Sequence, residues 1–222
     1  MVIDERTEQE LSIARKRMLQ EQVIGRDIKA SRVIDVMGRV PRHIFVDDAL
    51  RNQAYTDGPL NIGEGQTISQ PYIVAFMTEA LKLEGTEKIL EIGTGCGYQT
   101  TILALQGGQI YTIERLKNLA LKARSRFKKL GLKNIVMRIG DGSQGWKDAA
   151  PFDRIMVTCA SPELPAQLVE QLVVGGMLIV PVSNRTGSQD LLRLTKTAKG
   201  FATENLGACR FVKLIGKHGY EA

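Results

Sequence analysis

The pattern of apolar and polar positions changes character twice along this chain. Over residues 5–50 apolar side chains recur at helical spacing: Leu11, Ala14, Met18 and Leu19 make one stripe, Val33, Ile34 and Met37 another, and Pro41 closes the run. Residues 51–70 lose that period and fill with Gly, Pro, Asn and Asp, which predicts a long loop of the kind that usually carries function. Pro71 then suits the first turn of a helix running to about Leu83.

From residue 86 short apolar runs alternate with amphipathic ones. The pattern predicts strands over 88–92, 109–114, 134–139, 152–158 and 177–182, and helices over 98–106, 116–130 and 163–173. Near-continuous apolar strands between amphipathic helices indicate an α/β fold, a mainly parallel sheet covered on both faces. Beyond residue 183, Leu191–Leu194 and Phe211–Ile215 flank Gly200 and Gly207 with no good helix between them, and predict an antiparallel pair closing one sheet edge. One domain over 1–222 is expected, with helices and a loop in 1–84, a core in 85–182 and terminal strands in 183–222.

The segment Ile89-Leu90-Glu91-Ile92-Gly93-Thr94-Gly95-Cys96-Gly97 ends an apolar run in three glycines at every second position. Glycines there allow a sharp turn and a ligand lying close to the backbone, with a helix N-terminus just beyond. The next apolar run, Ile110–Ile113, ends in Glu114, and a carboxylate at that strand tip can accept both hydroxyl protons of a ribose. A dinucleotide fingerprint sets its last two glycines three apart; here they are two apart. Glu91, inside the strand, would repel a pyrophosphate and suits the ammonium end of S-adenosyl-L-methionine.

Composition narrows the class. The 222 residues are 43% hydrophobic and 24% charged, ordinary for a soluble domain, and enough to bury a core without a metal or disulfide staple. No apolar run approaches the roughly 20 residues that span a bilayer. Met-Val-Ile-Asp-Glu-Arg-Thr-Glu is too acidic for a secretory signal, and Cys96, Cys159 and Cys209 form no framework, so a cytoplasmic protein is expected. The net charge of +6 concentrates in Lys122–Lys133, where helical spacing leaves most charges on a solvated face and no aromatics alternate to stack bases. No nucleic-acid partner, membrane partner or metal is expected, and nothing in the pattern asks for a second subunit.

Hydrolytic equipment is missing: there are two histidines, His43 and His218, and no nucleophile elbow, paired metal-binding histidines or Walker loop. Methyl transfer to an ionised oxygen fits such a chain, because positioning and desolvation can supply most of the acceleration. Asp141, in Gly140-Asp141-Gly142, follows a strand; it either accepts from an adenine amino group or simply shapes a glycine turn. Thr67 and Ser69, in Gln66-Thr67-Ile68-Ser69-Gln70-Pro71, are either helix caps or site residues.

Those segments, with Val40-Pro41-Arg42-His43-Ile44-Phe45-Val46, Tyr55–Leu60 and Arg210-Phe211-Val212, together resemble the protein-L-isoaspartate O-methyltransferase family from about residue 12 to residue 215. The resemblance implies a methyltransferase of Rossmann-like fold that moves a methyl group from S-adenosyl-L-methionine to L-isoaspartyl carboxylates in damaged proteins. The ester then decays through a succinimide. By matching position, Ser69 is the active-site serine, Gly93, Thr94, Gly95, Cys96 and Gly97 hold the amino-acid end of the cofactor with Glu91, and Glu114 holds the ribose. Asp141 and Gly142 take the adenine side, Thr67, Ile68, Ser69 and Arg115 border the cofactor, and Phe211 and Val212 lie along the peptide with Ser69. Lys213 stands where the family commonly has proline. Competing readings are a methyltransferase of this fold acting on RNA or a small molecule, a dinucleotide oxidoreductase, and a binding protein without catalysis. The absence of an Asn/Asp-Pro-Pro-Tyr motif at Thr158–Pro162 weighs against exocyclic-amine methylation.

Overall fold

A computed structural model describes residues 5–221. The first four residues of the stretch read against a secretory signal lie outside it.

Among the described residues seven strands form one sheet, numbered in chain order after the short strands β1 (Leu60–Gly63) and β2 (Gln66–Ile68). Its parallel part comprises β3 (Lys88–Ile92), β4 (Gln109–Glu114), β5 (Ile135–Ile139), β6 (Phe152–Val157) and β7 (Leu172–Ser183). Ending with β8 (Gln189–Thr197) and β9 (Gly200–Cys209), the strands lie in the order β5-β4-β3-β6-β7-β8-β9. β3 is central and buries Ile89, Leu90, Glu91 and Ile92, which is why its sequence is apolar without alternation. The chain runs from β3 outward to β4 and β5, then returns to place β6 on the other side of β3. That reversal opens a crevice at the carboxyl ends of the strands, where open α/β sheets take ligands.

Helices α4 (Tyr98–Ala104), α5 (Lys117–Lys129) and α6 (Ala166–Glu170) connect the parallel strands. α5 buries Leu119, Ala120, Ala123 and Phe127 and leaves Lys122, Arg124, Lys128 and Lys129 exposed, as the spacing predicted. Arg126 is the exception. It is half-buried and donates to the carbonyls of Ile44 and Cys96. The N-terminal helices α1 (Glu5–Met18), α2 (Ser31–Arg39) and α3 (Pro71–Ala80) pack their apolar stripes, including Leu11, Met18, Val33 and Met37, against one another and α4.

Three expectations need correction. The loop at 51–70 holds a two-stranded hairpin, β1 (Leu60–Gly63) with β2 (Gln66–Ile68), closed through Glu64 and Gly65 at positive φ. The helix expected over 163–173 is only Ala166–Glu170, because Leu172 already pairs with Phe152 as the start of β7. The antiparallel edge pairs β8 (Gln189–Thr197) with β9 (Gly200–Cys209), and β8 also pairs antiparallel with β7. Phe211–Ile215 is no strand: it lies across the strand ends, held by the bridge between Lys213 and Ala160 and by the Gln189 side chain of β8, which bonds the Phe211 backbone.

Candidate active site

The glycine segment makes the turn its spacing predicted. Gly93, Gly95 and Gly97 all have positive φ, at +94°, +54° and +90°. A Cβ on Gly93 would collide with Thr158 Oγ1, and one on Gly97 would lie 2.7 Å from the Phe127 ring, so side chains are excluded by space as well as by conformation. Gly97 leads directly into α4.

Beside this turn is a cleft of about 560 Å³, counting the part open to solvent. Gly93, Gly95, Glu114, Arg115 and Gly142 line it, as do Gln66 and Thr67 from the hairpin. Glu114 is 6% exposed; its carboxylate accepts from the Gly95 N–H at 2.8 Å and the Leu116 N–H at 2.9 Å. Each oxygen keeps a lone pair for a ligand hydroxyl. A closely approached glycine turn, a helix start and a strand-tip carboxylate fit S-adenosyl-L-methionine.

Glu91 does not take part in that cleft, contrary to expectation. Its side chain turns into the layer between sheet and helix, where Thr100 of α4 and Thr112 of β4 donate to Oε2 at 2.5 and 2.6 Å. Complete burial pushes its carboxyl up to about 8, against those two bonds and with the help of nearby Glu114. A neutral, enclosed acid offers no charge to an ammonium group.

Asp141 is likewise committed locally. Oδ1 accepts from the Ser143 N–H and hydroxyl, and Oδ2 from the Lys217 N–H and the Gln144 amide, four donors in all. Burial raises its carboxyl, but these bonds outweigh it and hold the group below its usual range. Gly142, not Asp141, lines the cleft. The exposed Gln144 amide, at 3.1 Å, is the donor a ligand amine can replace.

A second chamber adjoins the first. Ser69, Gln70, Tyr72, Arg210 and Phe211 line it, and Thr67, Thr158 and Val212 belong to both chambers. Ser69 is half-buried and its hydroxyl bonds to no described residue; α3 is capped by Gln70 without a side-chain bond, so the cap reading of Ser69 fails. Phe211 is fixed by Gln189, whose amide accepts from its N–H at 2.6 Å and donates to its carbonyl at 3.0 Å. Lys213 is exposed at the cleft, its ammonium 4.9 Å from the Tyr220 ring centroid.

Ile68, Thr94 and Cys96 line neither chamber but border, with Ser69, Gly93, Gly95 and Tyr98, a smaller cavity beside the glycine turn. Ile68 is in the core, Thr94 bonds Thr112 at 2.6 Å, and burial raises the Cys96 thiol, which suits a backbone-contact residue. His43 is buried, its Nδ1 2.8 Å from the Tyr55 hydroxyl, and lines neither chamber. His218 is half-buried beside Gln167. Sequence reasoning missed Thr158 and Cys159 as lining residues; their place directly after β6, with the Thr158 hydroxyl donating to the Gly93 carbonyl at 2.7 Å, puts them beside the glycine turn, and their position at a strand end was the available signal.

The comparisons agree with this geometry. The family model described as Protein-L-isoaspartate(D-aspartate) O-methyltransferase matches residues 14–219. The chain belongs to this family. It is 54% identical to the Protein-L-isoaspartate O-methyltransferase of Geobacter metallireducens over 94% of this chain and 96% of that one. It is 52% identical to Protein-L-isoaspartate O-methyltransferase 2 of Geotalea uraniireducens over 95% and 97%. Among solved structures, a protein-L-isoaspartate O-methyltransferase superposes with a TM-score of 0.84 at 25% identity, covering 92% of this chain and 67% of that chain. A Plasmodium falciparum protein described as a beta-aspartate methyltransferase, solved with S-adenosyl-L-homocysteine, gives 0.80 at 25% identity over 90% and 98%. The family uses S-adenosyl-L-methionine, and this chain is an enzyme of that kind. No helix among the described residues is long and apolar enough to cross a membrane.

Proposed function

We propose that this protein methylates the free carboxylate of L-isoaspartyl residues in damaged proteins, with Ser69 as the residue that orients that carboxylate. The observation carrying this reading is the junction of the two chambers: the cleft beside the glycine turn meets, at Thr67, Thr158 and Val212, which line both, a chamber lined by Ser69, whose hydroxyl is unbonded within the fold. S-adenosyl-L-methionine, when bound, supplies an electrophilic methyl group on a sulfonium. Glu114 and the Gly93–Gly97 turn would hold it, with Gly142 and Arg115 at its edges.

The chain's own work is mostly placement. An isoaspartyl carboxylate has a pKa near 4, so it arrives ionised at neutral pH and needs no base. Ser69 can donate one hydrogen bond to it and fix its direction. The apolar side chains of Phe211 and Val212 border the peptide path and exclude water, which keeps the nucleophile poorly solvated. Arg210 adds positive charge along that path, and Lys213 adds it at the adjoining cofactor cleft. The ester formed then leaves the enzyme's care, decaying through a succinimide that returns part of the damage to aspartate.

The reading includes a monomer acting in the cytoplasm without nucleic acid. Supporting it are three unpaired cysteines and a basic α5 face with no aromatic platform. Transfer of labelled methyl from S-adenosyl-L-methionine to an isoaspartyl peptide, with its aspartyl twin as control, tests the activity. Labelling of neither peptide, with cofactor bound, would hand the site to a small-molecule or RNA acceptor.

A further inference from the structure

Arg42 is a large side chain buried completely, at 0% exposure, within a short 3-10 turn, Arg42–Phe45. No carboxylate among the described residues forms an ion pair with it. Its Nε donates to the Ala54 carbonyl at 2.8 Å and its Nη2 to the Ser69 carbonyl at 2.6 Å. The Tyr98 ring lies against the guanidinium, 4.9 Å from centroid to Cζ. Nη1 and the Tyr98 hydroxyl are both buried and meet no partner in good hydrogen-bond geometry, so the guanidinium and the phenol interact only with each other there.

Taking a lone cation out of water costs more than two bonds to neutral carbonyls return. An aliphatic side chain of similar volume would fill the space without that cost, so packing alone does not account for the charge. What the guanidinium supplies is a rigid planar fork whose charge-assisted bonds are short and directional. That fork joins three segments: the turn ending at Ala54, the exit of the hairpin at Ser69, and the helix that starts at Tyr98 directly after the glycine turn.

We propose that Arg42 is a positioning residue for methyl transfer, which holds the Ser69 backbone at a fixed place relative to the Gly97–Tyr98 helix start and so aims the Ser69 hydroxyl. The proposal rests on Ser69 acting on the substrate carboxylate. Arg42 itself lines neither chamber. Its effect is therefore felt through Ser69, where a shift of about 1 Å can cost about a hundredfold in rate.

A double-mutant cycle on the full chain tests this, with kcat for an isoaspartyl peptide, cofactor Kd by calorimetry and melting temperature as readouts. Arg42→Lys keeps the charge but loses the fork. It should lower kcat by about tenfold or more while cofactor Kd moves within about threefold, a fall consistent with misplacement. In a Ser69→Ala background the same change should cost less than about threefold in kcat, since the group it aims is gone. The drop in melting temperature, by contrast, should be the same in both backgrounds. Equal rate losses in the two backgrounds would overturn the proposal, as would Arg42→Lys enzyme that melts earlier yet transfers at the full rate per folded molecule. Should the buried ammonium prevent folding, Arg42→Gln, uncharged and still able to donate to one carbonyl, is carried through the same cycle with the same two deciding outcomes. Failure of the Ser69 assignment looks different: Ser69→Ala alone then transfers at the wild-type rate.

Discussion

Glu114 Oε2 and the Gly95 N–H are 2.8 Å apart, so the carboxylate at the tip of β4 ties down the middle of the glycine turn. One side chain thus shapes the cradle and faces the place where a ribose would lie. Glu114→Ala should weaken S-adenosyl-L-methionine binding by about 1.5–3 kcal/mol, the range for a charged hydrogen-bonding group. Calorimetry should show the loss, with the circular dichroism spectrum unchanged. An unaltered dissociation constant would remove Glu114 from the cofactor site.

Ser69 and Thr67 lie two residues apart at the same chamber and serve as mutual controls. Ser69→Ala should leave cofactor affinity within a few-fold and stability within about 0.5 kcal/mol, because no hydrogen bond within the fold is lost. Its transfer rate should fall by about a hundredfold. Thr67→Ala should cost far less. Similar small losses for the two would leave Ser69 without a catalytic part.

The buried Glu91 makes a prediction about pH and stability. Its folded carboxyl titrates at about 8, above the value in an unfolded chain, so the folded state holds the proton more tightly. Its contribution to stability is complete below about pH 4.5 and is lost progressively as pH rises toward 8. Glu91→Gln keeps a neutral acceptor for Thr100 and Thr112 and removes the titration. Between pH 5 and pH 8 the variant should lose less stability than the wild type, the difference being on the order of a few kcal/mol. Urea unfolding at the two pH values measures it. Parallel pH dependences would mean Glu91 is ionised in place.

Much of this site was open to inspection in the sequence because its chemistry is local. The Gly93–Gly97 turn and Glu114 each sit at a strand end, and strand, turn and helix starts follow from short-range spacing. Glu91 was misjudged because sequence gives its distance from the turn but not which face of β3 it occupies. The β1–β2 hairpin escaped notice because strands of four and three residues are shorter than any period that could reveal them. β9 was overlooked for its polar, exposed residues, whereas Phe211–Ile215 looked like a strand because cavity walls are apolar too. Arg42 stood inside the Val40–Val46 segment that resembles the family, but its burial was not legible: a guanidinium inside a single 3-10 turn leaves no periodic trace.

The rate should be insensitive to histidine titration. Burial lowers the His43 pKa, with the charge of Glu8 opposing and Arg15 and Arg51 assisting. The ring faces Tyr55 rather than either chamber. Between pH 6 and pH 8, kcat/KM for an isoaspartyl peptide should be flat to within about twofold, since the acceptor carboxylate is already ionised. The product should release methanol in mild alkali. A base-stable methyl group would place the acceptor among amines or amides.

Thr67, Thr158 and Val212 form the shared rim where the cleft beside the glycine turn meets the chamber of Ser69, the places proposed for cofactor and peptide. Such a rim cannot be moved for one occupant alone. A larger residue at any of the three crowds both, so selection for a new peptide preference at these positions would be opposed by loss of cofactor. Arg26, Tyr72 and Arg210 line the peptide chamber only. On the proposed reading, substitutions at those outer positions change peptide preference and spare cofactor affinity, while substitutions at the inner three change both.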